Sequence, residues 1–151
     1  MFSREFSVDI TAPIEQVFAY VTDLSRHPEW SNNKMEMTVE GEPVAVGTTF
    51  TTVVNAFGKE TNKGKVVEMQ APMKFVSECD TSSSGYWRWT MMLEPIAGGT
   101  RLRHRSEGLK VPGWFKVVQP LMFRFVGQKM LTNGLDNIKA RVEAGGGKVA
   151  G

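Results

Sequence analysis

The sequence predicts an α+β domain, and three observations carry that prediction. Hydrophobic residues recur every second position from about residue 35 to 110, a helical period follows the first strand, and a second helical period fills the tail from Gly113 to about Ala144. The expected order is one strand, a pair of short helices, five or six meandering antiparallel strands and one long C-terminal helix. At 151 residues the chain suits a single domain, 1–151, and is too short for two ordinary ones.

Residues 3–10 alternate, with Phe6, Val8 and Ile10 on one face of a half-buried strand. Ala12-Pro13 then opens a helix, because proline at the first helical position gives up an N–H that would be unpaired anyway. Ile14, Val17, Phe18 and Val21 form its apolar stripe, and the helix should end near Asp23. Residues 23–30 read as a short second turn, broken by Pro28 and anchored by Leu24 and Trp30, with His27 at the surface. Met35, Met37 and Val39 alternate with Glu36, Thr38 and Glu40. Strands follow at 48–57, 63–69, 74–80, 86–94 and 100–109, with turns at 41–47, at Phe57-Gly58-Lys59, at Ala71-Pro72 and in the serine-rich 81–85.

The last hairpin predicts its own register. A two-residue Gly98-Gly99 loop of type I′ pairs Leu93 with His104, Met91 with Ser106 and Trp89 with Gly108, and sets Glu94 opposite Arg103. Trp87, Trp89, Met91, Leu93 and Leu102 then share one face, and Arg101, Arg103 and Arg105 the other. A one-residue slip would mix the two sets.

In the tail, Leu131, Leu135, Ile138 and Val142 make a single core stripe. The first half differs: eleven of the eighteen residues from Trp114 to Leu131 are apolar and wrap most of the circumference, with Pro120 expected to kink or restart the helix. Gly145-Gly146-Gly147 ends it, leaving 145–151 as a frayed tail. A curved sheet has an apolar concave face to cover, and only the final helix is long enough, about 45 Å for thirty residues. Such a sheet seldom closes fully on one helix, so a cavity between them is expected.

Composition excludes several function classes. Eighteen Lys plus Arg against sixteen Asp plus Glu leave +2, too little for a phosphate-neutralising stripe, so no nucleic-acid partner is expected. Arg88, Arg101, Arg103 and Arg105 cluster on the outer sheet face, where Glu36, Glu40, Glu94 and Glu107 can neutralise them. With Cys79 alone and only His27 and His104 beside it, neither a disulfide nor a zinc site is expected. There is no dinucleotide fingerprint, nucleophile elbow or phosphate loop, Gly145-Gly146-Gly147-Lys148 lacking the required spacing, so no cofactor is expected. No signal-peptide core and no window of about 20 apolar residues is present, which leads to the expectation of a cytoplasmic protein.

The candidate functional residues lie on the apolar face. Trp87, Trp89 and Met91 offer either plain core or a flat wall for a ring-containing or acyl ligand. His104 among them is either a satisfied core histidine or a polar group aimed at a ligand, and it is the one candidate general base. Ser77, Cys79 and Ser106 share that face as small filler or polar lining, and Cys79 has no activating neighbour. Trp114, Val118, Leu121, Met122 and Phe125 would form the lid, and Arg124 is either a solvent-facing charge or a rim clamp for a carboxylate.

Two motifs carry a family resemblance. Residues 10–18 (Ile-Thr-Ala-Pro-Ile-Glu-Gln-Val-Phe) followed by 23–30 (Asp-Leu-Ser-Arg-His-Pro-Glu-Trp) resemble the N-terminal signature of the START/Bet v 1-like (SRPBCC) superfamily. Residues 89–95 with 98–102 are similar to the last hairpin of its polyketide cyclase/dehydrase-like branch. The resemblance implies a helix-grip fold, a curved antiparallel sheet wrapped around a long C-terminal helix with a ligand cavity between them. It implies no mapped catalytic residue.

The first functional expectation is binding or transport of a small hydrophobic molecule, such as a lipid, isoprenoid or polyketide-like ring. Removing about 300 Å² of apolar ligand surface from water is worth roughly 7 kcal/mol before association costs. The alternatives are a cyclase/dehydrase- or isomerase-type enzyme with His104 as base, or an interaction module in which the apolar first half of the last helix meets a partner, a membrane surface or a second copy.

Overall fold

The computed structural model describes residues 2–31, 35–41, 43–55, 59–122, 124 and 128–145. Its elements are β1 (Phe2–Ile10), α1 (Ile14–Thr22), a 3-10 turn (Leu24–Arg26), α2 (His27–Trp30), β2 (Met35–Glu40), β3 (Thr49–Asn55), β4 (Lys59–Gln70), β5 (Lys74–Thr81), β6 (Gly85–Ile96), β7 (Gly99–Lys110), α3 (Gly113–Met122) and α4 (Gln128–Glu143). The strands form one antiparallel seven-stranded sheet in the order β1-β7-β6-β5-β4-β3-β2. The expected turn at Phe57-Gly58 and the frayed end after Gly145 fall outside the described residues.

Alternation in each strand separates the faces. Val8, Ile10, Leu93 and Leu102 point inward, where Val17, Phe18 and Val21 of α1 and Leu135, Ile138 and Val142 of α4 complete the core. On the outer face Arg101 pairs with Asp9 at 2.8 Å and Arg103 with Glu94 at 2.8 Å, so its arginines are largely neutralised in place. Opposite Cys79, Gly64 leaves room for the Phe50 ring, which a Cβ would meet at 2.2 Å. A register shift between Val66 and Glu68 bends β4 against β5.

Three expectations are corrected. The β6–β7 loop is Ala97-Gly98, not Gly98-Gly99, so Leu93 pairs with Leu102, Met91 with His104, Trp89 with Ser106 and Glu94 with Arg101. The reason is tertiary: a Cβ on Gly99 would lie 2.0 Å from the Ile10 carbonyl oxygen, so that glycine admits β1, while Gly98 takes the positive φ of 83°. The slide is one residue on each strand, which keeps every side chain on its expected face. Pro13 is the N-cap of α1 with an extended ψ of 149°, and the first helical residue is Ile14.

His27 is half-buried and not on the surface. The described part of the tail is helical at Gly113–Met122 and Gln128–Glu143, and residues 123 and 125–127 between them lie outside the described residues. Pro120 sits inside α3 without ending it. The hydrogen bond it removes would join its own N–H to the Lys116 carbonyl, and both residues are exposed, so water can satisfy that oxygen.

Candidate functional site

The inner face of the sheet centre carries polar groups among its apolar ones. One cross-strand row runs Val66, Ser77, Trp89, Ser106 and Arg4, and the next runs Phe75, Met91, His104 and Phe6. Directly opposed residues of an antiparallel sheet share a face, so these rows follow from the register alone. Ser77 and Ser106 are buried on either side of the half-buried Trp89. None of Ser77, Ser106, His104 or the Trp89 indole hydrogen-bonds to a described residue. Their polar atoms are open enough for water or a ligand to reach, since among the described residues the one buried side-chain nitrogen or oxygen without a partner is the Trp30 indole nitrogen.

His104 stands between Phe6 and Met91, and burial pushes its pKa down to about 4. The second cause is His27, close enough that charging one ring disfavours charging the other. His27 donates from Nε2 to the Val21 carbonyl at 3.0 Å and tilts against Trp30 with ring centroids 4.8 Å apart. Burial likewise lowers its pKa to about 4, against the raising effect of the Val21 bond. Both rings are therefore neutral at pH 7. Sequence reasoning missed His27 because α2 is covered by tertiary contacts: Asn137 of α4 donates to the Trp30 carbonyl at 3.0 Å.

Trp87 is buried and fixed, its indole N–H donating to the Ser84 carbonyl at 3.0 Å. The Phe115 ring meets it edge-on at 5.6 Å, and this contact ties α3 to the sheet. Among the described side chains of α3, Phe115 and Gln119 are the buried ones. Trp114, Val118 and Leu121, expected to line the hollow, stand exposed on the other side of the helix. The sequence signal for the inner pair was their own i, i+4 spacing, hidden because the helix is apolar nearly all round. The Met122 side chain and Phe125 lie outside the described residues. Arg124 is exposed.

Cys79 lies on the same sheet face as Ser77 and Trp87 but is inert, because burial pushes its thiol up to about 12. Among the described residues no group of His, Cys, Asp and Glu could hold a metal ion. No helix among them is long and apolar enough to cross a membrane. A surface cleft between Thr11–Gln16 and the end of α4 is bordered by a clasp: Glu143 accepts from the Thr11 N–H at 2.9 Å and from Lys139 at 2.6 Å.

The architecture has close counterparts. The di-domain ARO/CYC protein StfQ from the steffimycin biosynthetic pathway matches with a TM-score of 0.76 at 15% identity over 94% of this chain, which spans 51% of StfQ. Protein CV1439 from Chromobacterium violaceum matches at 0.72 and 20% identity, covering 93% of this chain and 96% of that one. TTHA0849 from Thermus thermophilus matches at 0.73 and 18% identity, covering 95% and 98%. At these identities the likeness speaks to fold. A search of curated protein sequences finds no match. The profile described as "Polyketide cyclase / dehydrase and lipid transport" matches residues 1–143, and the chain belongs to that family.

Proposed function

We propose that the protein binds a small, mostly hydrophobic molecule between the concave sheet face and its C-terminal helices, in a helix-grip arrangement. One observation carries the reading: a tryptophan flanked by two buried serines and a neutral histidine, none of which bonds to a described residue. Trp87, Trp89, Met91 and Phe115 supply the apolar surface. Ser77, Ser106, His104 and Gln119 supply hydroxyl, imidazole and amide groups for a few oxygens on the ligand. This combination suits an oxygenated ring or isoprenoid better than a plain acyl chain, since the polar groups sit mid-wall where a chain would leave them unsatisfied. Family membership, and a di-domain ARO/CYC protein of a biosynthetic pathway among the structural neighbours, support the same ligand class.

A cyclase-type activity is the second reading, supported by the family description. His104 with a pKa near 4 is a poor base at neutral pH and serves better as a hydrogen-bond partner that orients a carbonyl or hydroxyl. An enzyme built here would act chiefly by folding the substrate chain into a reactive geometry.

Nile red titration of the apo protein tests the reading, beside native mass spectrometry of freshly purified material. Trp89→Ala should weaken probe binding at least ten-fold while the far-ultraviolet circular dichroism is retained. Parent-like binding by a folded Trp89→Ala protein would sink the assignment.

A further inference from the structure

We propose that α3 docks the protein on an anionic lipid surface. Seven large apolar side chains are exposed among the described residues, and five of them, Leu109, Trp114, Val117, Val118 and Leu121, fall within thirteen residues of chain. Four of these stand at i, i+3, i+4 and i+7, so they form one stripe down the outer side of α3. Val117 is 80% exposed and Leu121 67%, values far from those of a packed helix. Contiguous exposure of this kind marks an interaction surface.

Charge decides what covers it. No Asp or Glu occurs from Gly108 to Leu135, while Lys110, Lys116, Arg124 and Lys129 do. Lys110, Lys116 and Arg124 are exposed, and none makes an ion pair with a described residue. The outer sheet face is the contrast, because there Arg88, Arg101, Arg103 and Arg105 each have a carboxylate partner. A second copy stacked on this stripe would bring no carboxylate from its own residues 108–135 to meet Lys110 or Arg124. An anionic bilayer accepts both features at once: the apolar stripe sinks to the headgroup–acyl boundary, Trp114 lies at that level, and the cations face the phosphates. Because Phe115 on the same helix touches Trp87, docking places the lipid surface one helix diameter from the concave face.

Co-sedimentation with vesicles of phosphatidylcholine, alone or with one-third phosphatidylglycerol, tests this. The full chain should pellet with the anionic vesicles, weakly or not at all with the neutral ones, and less as salt is raised. Val117→Glu should lower the anionic partition at least ten-fold, and Lys110→Gln about five-fold, the weight of one cation near a charged surface. Val46→Glu, at an exposed apolar site away from α3, should change nothing. Nile red affinity should be the same in Val117→Glu and parent, so loss of docking and loss of the internal site are read separately. The proposal is overturned if the parent ignores anionic vesicles at low salt, or if Val117→Glu partitions like the parent. It is equally overturned if sedimentation velocity shows a concentration-dependent dimer that Val117→Glu abolishes while vesicles are ignored.

Discussion

The two C-terminal helices are built on opposite plans. In α4 one apolar stripe, Leu135, Ile138 and Val142, is fully buried, and the polar residues opposite it stay wet or clasp β1, as Lys139 does by donating to the Asp9 carbonyl at 2.7 Å. In α3 the described buried side chains are Phe115, whose ring meets Trp87, and Gln119, while the apolar stripe faces away from the protein. An amphipathic helix that buries its whole apolar face contributes to the fold. A helix that buries half of it contributes little to stability and leaves surface for another purpose. Only the second kind can change its partner without unfolding the domain.

The contrast is sharpest in stability. Ile138→Ala removes a fully buried side chain from α4 and should cost about 3–4 kcal/mol in urea denaturation. An effect under about 1 kcal/mol would mean that α4 is not the core helix it looks to be.

Acid should attack the same side of the molecule. His27 and His104 have folded pKa values near 4, below the ordinary 6.5, so the unfolded chain binds more protons between those values. Stability is therefore full above pH 6.5 and falls as the pH drops toward 4, by at most about 3–4 kcal/mol between pH 7 and 5 for the two groups together. His104→Gln should flatten about half of that slope. An unchanged slope in this variant would show that the ring is already solvated.

Within α3 the two sides should differ as well. Phe115→Ala should cost about 2 kcal/mol, less than full burial of a core phenylalanine, because its ring has tryptophans on two sides only. Val117→Ala, two positions on, should stay within about 0.5 kcal/mol. Equal costs at the two positions would erase the distinction between inner and outer sides.

Legibility in the sequence followed the range of the interactions. Strand faces were readable because side chains alternate whatever the register, so Ser77, Trp89, His104 and Ser106 were assigned to the right face even though the hairpin pairing was displaced. That displacement came from Gly99, whose missing side chain makes room for the Ile10 carbonyl, a contact ninety residues away that no local turn rule contains. His27 was misread for the same reason. A histidine beside a proline in a polar turn looks exposed until Asn137 and Trp30 enclose the turn. Arg4 was not singled out because nothing local says that β1 lies beside β7 and brings it into line with Ser106.

Local chemistry by itself determined the elements, the apolar face of each strand and the single stripe of α4, since periodicity is a property of neighbouring residues. Which side of α3 turns inward, and which polar residues gather around Trp89, was decided only by tertiary structure. Both depend on how far the sheet bends and on where Trp87 meets Phe115, and such distances arise only after distant strands have paired.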